Sequence, residues 1–253
     1  MDGVDPLDVT SAYGELAQRL DKEGSHNKAV EFYQKKLRIE ENILGCVEKI
    51  HLQIACTHQA IGKVLYNQED FEKAKEHFQR ALAISLESNE KDHPVTSMAY
   101  HWMGMALEDQ EKYQEAMEHH QKALAIRLKA NGPDSTETGE TYHEMGSVFF
   151  CQENYEEAME HFQKALGIRI KTNGPDHPST GKTYLGIGNV LEAQEKHVEA
   201  MEYMQKALSI RVKIDEPNHP ETAEMYLGVG CVFYKQEKYE EAIDNMQRPF
   251  PFA

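Results

Sequence analysis

The sequence predicts an all-α solenoid of stacked antiparallel helix pairs. Three observations carry this. Gly62, Gly104, Gly146, Gly188 and Gly230 recur every 42 residues, and so do Ala74, Ala116, Ala158, Ala200 and Ala242. Within each period, apolar residues return at three-and-four spacing, the period of an α-helix. No segment shows the sustained alternation of a half-buried strand. A repeat of this length is one supersecondary unit that cannot bury its apolar face alone, so neighbours must stack.

The elements follow in order. Residues 1–9 are expected to be a flexible N-terminus. Residues 10–50 form a divergent first repeat, because Leu16-Ala17, Ala29, Tyr33 and Leu37 align with Ile61-Gly62, Ala74, Phe78 and Leu82 at an offset of 45. Full repeats follow at 51–92, 93–134, 135–176 and 177–218, with a truncated last repeat at 219–247. In the third full repeat, Tyr142, Met145, Gly146, Phe149 and Phe150 define a first helix. Gln152-Glu153-Asn154 make the turn, and Tyr155, Ala158, Met159, Phe162, Ala165 and Leu166 define a second helix. Asn173-Gly174-Pro175-Asp176 is a stop signal. Pro94, Pro178 and Pro220 suit the first turn of the next helix, where a missing N–H costs nothing. Pro249 ends the last helix early and leaves a non-helical tail at 248–253. The recurring glycines are costly inside helices, so their recurrence points to backbones that cross closely there.

Composition excludes several function classes. The 253 residues hold 27 Lys plus Arg against 43 Asp plus Glu, a formal charge of −16. So acidic a chain lacks the basic footprint of a nucleic-acid binder. No stretch approaches the roughly 20 apolar residues that insert into a membrane. The start of the chain does not read as a secretory signal. Cys46, Cys56, Cys151 and Cys231 are scattered, which fits reduced, buried thiols in a cytoplasmic protein. Gly186-Ile187-Gly188 and Gly228-Val229-Gly230 lack the third glycine and the preceding strand of a dinucleotide loop. No catalytic motif, cofactor site or metal site is expected. His93, His177 and His219 are too far apart to share a metal, and His119-His120 point in different directions. Arg127, Arg169 and Arg211, with Lys129, Lys171 and Lys213, fall near helix C-termini and complement the helix dipole.

Tyr142-x-x-Met145-Gly146-x-x-Phe149 followed by Ala158-x-x-x-Phe162-x-x-Ala165 resembles the tetratricopeptide repeat. The longer period, Ala-Leu-x-Ile-Arg in the second helix and Gly-Pro-Asp-His-Pro-x-Thr in the linker are similar to the kinesin light chain and nephrocystin-3 type. The resemblance spans residues 10 to about 247 and implies right-handed stacking, with first helices lining a concave groove. It implies a non-enzymatic scaffold or adaptor that holds a partner peptide or helix, like the cargo-binding region of kinesin light chain. The alternative is a structural segment of a larger protein that self-associates through its uncapped C-terminal end. Of the Lys, Asn and Arg clamp that chaperone-binding members present, only Lys182 and Asn189 have counterparts. Kinesin light chains carry Asn where this chain has Ala60, Trp102, Glu144, Gly186 and Gly228.

The groove candidates are first-helix positions that vary while the framework does not. They are Gln59, Lys63, His101, Trp102, Met105, His143, Glu144, Ser147, Leu185, Asn189 and Leu227. Trp102 is the sole tryptophan, and with Met105 it offers an apolar anchor for a peptide.

Overall fold

The computed structural model describes residues 5–43, 50–87, 92–214 and 220–247. Among these the chain is all-α, with twelve helices and no strand. They divide into two compact units, residues 1–130 and 131–253. The first holds α1 (Pro6–Lys22), α2 (His26–Ile43), α3 (Ile50–Asn67), α4 (Phe71–Glu87), α5 (Pro94–Glu108) and α6 (Tyr113–Asn131). The second holds α7 (Thr136–Cys151), α8 (Tyr155–Asn173), α9 (Pro178–Ala193), α10 (His197–Ile214), α11 (Pro220–Lys235) and α12 (Tyr239–Gln247). In each unit three helical hairpins stack in chain order, each helix packing on its predecessor. The expected tail at 248–253, Cys46 and His219 lie outside the described residues.

Helix α1 begins at Pro6, so residues 6–9 of the expected flexible N-terminus are helical, and residues 1–4 lie outside the described residues. Asp5 caps it, its side chain accepting from Leu7 N at 2.9 Å, and Pro6 takes the first helical position. Proline also opens α5, α9 and α11. The histidines before Pro94 and Pro178 are caps, Nδ1 of His93 and of His177 each accepting a backbone N–H at 3.2 Å.

Each hairpin turn is the same Schellman closure. The N–H groups of Asp70, Lys112, Asn154, Lys196 and Lys238 donate to carbonyls five residues back, at 2.8–3.0 Å. The residue before each must be left-handed, the place where glycine is normal. Gly24 fills it in the first hairpin at φ +75°, whereas Glu69, Glu111, Glu153, Glu195 and Glu237 fill it later at φ +58° to +62°.

The small residues let helices within a hairpin approach. The alanines of the 74 series are fully or almost fully buried. A Cβ added at Gly62 would lie 2.5 Å from the Phe78 ring, at Gly104 2.4 Å from His120 and at Gly146 2.9 Å from Phe162. At Gly188 and Gly230 it would meet Met204 and Met246, both at 2.7 Å. The partner is always sixteen residues on, so the glycine and a large second-helix side chain form one packing unit.

Polar contacts bind one hairpin to the next. Gln68 Nε2 donates to Asn27 Oδ1 at 2.9 Å, and Gln110 Nε2 donates to Glu72 Oε1 at 3.0 Å. The turn glutamines are therefore cross-braces as well as turn formers. Lys129, Lys171 and Lys213 pair with Asp92, Asp134 and Asp176 of the preceding linkers. These pairs are exposed and contribute little each.

The arginines correct the dipole expectation. Arg127 and Arg169 are buried. Arg169 Nη1 donates to Ser179 O at 2.7 Å and Thr183 Oγ1 at 2.6 Å, joining α8 to α9. At the corresponding place in the divergent first repeat the charge is reversed. Buried Glu40 accepts from Thr57 Oγ1 at 2.7 Å, and burial raises its carboxyl above the usual range. The cysteine expectation is also corrected: Cys56, Cys151 and Cys231 are exposed.

Candidate functional site

The first helices carry three series of candidate positions, spaced by the repeat. The Lys63, Met105, Ser147, Asn189 and Cys231 series reaches the surface throughout, fully at its ends and partly between. The Trp102, Glu144 and Gly186 series is half-buried. The third series changes along the chain. Gln59 and His101 are buried, His143 and Leu185 are half-buried and Leu227 is exposed.

In the first unit, Gln59 and His101 are not groove surface, contrary to expectation. Gln59 Nε2 donates to Val95 O at 2.6 Å, tying α3 to the start of α5. His101 is 3% exposed, edge-on to Trp102 and to His120 at centroid distances of 5.6 and 5.9 Å. Burial, with Arg127 and His120 nearby, holds its imidazole well below the usual pKa and therefore neutral. Trp102 lies flat on Phe78 at 5.6 Å and edge-on to Tyr66 at 5.7 Å. It fills space between its own first helix and the preceding hairpin. Lys63 and Met105 remain at the surface beside it.

In the second unit, the same face opens into a cavity of about 320 Å³. His143, Ser147, Phe150 and Cys151 come from α7, Phe162 from α8, Lys182, Leu185, Gly186 and Asn189 from α9, and Met225 from α11. Four expected residues thus converge: His143, Ser147, Leu185 and Asn189. Glu144 and Leu227 are outside the lining, although Glu144 is near enough to Arg169 to favour its charge. Sequence reasoning missed the floor and back wall. Phe150 and Phe162 read only as core, Cys151 as a buried thiol, and Met225 carried no signal of its own.

The cavity has apolar walls and a polar rim. His143 tilts over Phe162 at 5.3 Å, and Thr183 Oγ1 lies 3.4 Å from its Nδ1. Burial holds His143 well below its ordinary pKa, and the cations Arg169 and Lys182 push the same way. The imidazole is thus neutral at pH 7. Among the described residues no cluster of His, Cys, Asp or Glu could hold a metal ion.

The tetratricopeptide repeat model matches residues 53–129, 96–171, 137–211 and 179–248, in overlapping registers. The chain belongs to the tetratricopeptide repeat family. Its fold is similar to BtubC (BKLC) from P. vanneervenii, at 15% identity and a TM-score of 0.74, over 88% of this chain and 89% of that one. It is also similar to a Podosopora anserina putative kinesin light chain with nearly identical TPR-like repeats. That match has 20% identity and a TM-score of 0.65, over 85% of this chain and 100% of that one. Apo RapI matches at 18% identity and a TM-score of 0.75, over 97% of this chain and 64% of that one. No curated protein matches the chain in sequence. These likenesses establish a tetratricopeptide fold, which commonly serves as a protein-interaction scaffold. No described helix is long and apolar enough to cross a membrane.

Proposed function

We propose that this tetratricopeptide chain is a non-enzymatic scaffold that binds a partner peptide or helix along its first-helix face. The observation that carries this is the second unit's cavity, where His143, Ser147, Leu185 and Asn189 converge over an aromatic floor. They stand on a framework whose other positions repeat, so the variation is concentrated where a ligand would lie. Apolar walls supply affinity, and His143, Ser147 and Asn189 supply orientation through hydrogen bonds. Glu144 extends the proposed surface within the second unit, and Lys63, Trp102 and Met105 present the equivalent first-helix face of the first unit. Likeness to a kinesin light chain supports an adaptor role through the fold alone. We place the protein in the cytoplasm, because its cysteines are scattered and the exposed ones would persist as thiols there.

A second reading rests on a specific patch. Tyr234, Tyr239 and Ile243 on the last hairpin are 61%, 54% and 54% exposed. Such a patch suits self-association of a structural segment. Selection from a displayed peptide library, followed by competition against Asn189→Asp and Leu185→Glu, separates the two. The groove reading expects binders that both substitutions weaken tenfold or more, about 1.4 kcal/mol each. Light scattering that shows dimers lost on Tyr239→Glu, with no peptide selected, would favour self-association.

A further inference from the structure

The repeat supplies its own control for the cavity. Phe150, Phe162 and Gly186 stand 84 residues after Tyr66, Phe78 and Trp102. In the first unit those three are the aromatic trio described above, with the indole between the other two rings. In the second unit the indole is gone. The Phe162 ring leans against Gly186, where an added Cβ would come within 2.8 Å of it, and the remaining space is the open cavity. Gly186 thus stands beside an open space where the equivalent residue of the first unit is an indole, and the aromatic residues equivalent to Tyr66 and Phe78 are kept.

We propose that this cavity is a binding site for a free, flat aromatic acid of about indole size, lying against Phe150 and Leu185. The volume sits at the low end of small-molecule pockets, roughly 300–1,000 Å³, and so suits one fused ring system. Phe150, Leu185 and Met225 wall the ring. The acid follows from charge. Lys182 is on the rim, and Asn189 and Ser147 offer hydrogen-bond donors, while Arg169 behind them is held by Ser179 and Thr183 and balanced by Glu140 and Glu144. No carboxylate lines the cavity. A ligand seated here would lie on the face proposed for peptide binding and compete with it. The proposal stands without that reading, because its test uses no peptide partner.

Cys151 is exposed and lines the cavity, so it reports occupancy. Cys56 and Cys231 are exposed elsewhere and serve as internal controls. The full chain is alkylated with N-ethylmaleimide, and the rate is read for each cysteine by peptide mass spectrometry. The probes are indole-3-acetate, indole and tryptamine. A dissociation constant on the order of 1 mM suits ligands this small. At about 10 mM indole-3-acetate, alkylation of Cys151 then slows about tenfold, with Cys56 and Cys231 unchanged. Indole protects less and tryptamine least. Lys182→Gln weakens indole-3-acetate about tenfold and leaves indole unaffected. Ser147→Met, which installs the residue that the preceding repeat carries at Met105, removes protection by filling the cavity. Should that variant lose helicity, the Lys182→Gln comparison decides alone. Equal slowing at all three cysteines, no slowing, or protection that persists in a helical Ser147→Met variant overturns the proposal. So does protection by a tryptophan-bearing hexapeptide where indole-3-acetate gives none, which would assign the cavity to a peptide side chain.

Discussion

Trp102 lies on Phe78 with ring centroids 5.6 Å apart and planes 11° from parallel. The residue is half-buried, and its stacking partner belongs to the preceding hairpin. Trp102 is therefore a joint between repeats as well as a surface residue. Trp102→Ala is expected to cost about 2 kcal/mol, part lost burial and part lost stacking. Because solenoid stability is local, hydrogen exchange should quicken in α3 to α5 and stay unchanged in α9 to α12. Uniform exchange across the chain would contradict this.

Two glycines make a matched test of packing. Gly146→Ala puts a methyl 2.9 Å from the Phe162 ring, tighter than real side chains tolerate. It should lower stability by about 1–3 kcal/mol. Gly167 is helical and exposed, with nothing within 4 Å of an added Cβ. Gly167→Ala should raise stability by about 0.5–1 kcal/mol. Urea melts of the two variants check the pair, and the signs must differ.

The left-handed glutamates store strain that a single substitution relieves. Glu153 sits at φ +61°, where Gly24 serves in the first hairpin. Glu153→Gly should stabilise by about 1 kcal/mol. Thermal unfolding measures this, and a lower midpoint would contradict it.

Part of the acid sensitivity, shared with His101 and His143, should trace to one histidine pair. His58 and His77 face each other with Nδ1 atoms 2.9 Å apart. Burial, with His77 and Arg80 nearby, lowers His58 to about 4. A base whose folded pKa is depressed is neutral when folded. Its contribution is complete above pH 6.5 and is lost as pH falls from 6.5 through 4. The loss is on the order of 2–3 kcal/mol. His58→Tyr installs the residue found at Tyr100, Tyr142 and Tyr184. It should flatten the decline between pH 6.5 and 4 in urea melts, and an unchanged slope would count against the pair.

Much of the fold was legible because its signals repeat. The glycine series, the alanine series and the proline starts each recur in register, so one helix assignment supports the others. What stayed hidden was pairwise. Arg169 and Lys171 are two residues apart at the same helix end, yet one is buried against Thr183 and the other exposed beside Asp134. A dipole argument treats them alike. Gln59 and His143 share a repeat position, but only Gln59 is fully buried, because Val95 O takes its amide. The cavity lies beside Gly186, which stands where Trp102 stands two repeats earlier. That substitution was visible in the alignment, but the aromatic walls around it required the helices to be placed.

The scaffold reading is tested most directly by footprinting a selected peptide on the full chain. Hydrogen exchange with and without the peptide should show protection confined to the first helices, strongest over residues 143–151 and 182–189. Alkylation of Cys151 should slow in step with binding while Cys56 does not change. Protection on the second helices, or at Tyr234 and Tyr239 with the first-helix face untouched, would contradict the account.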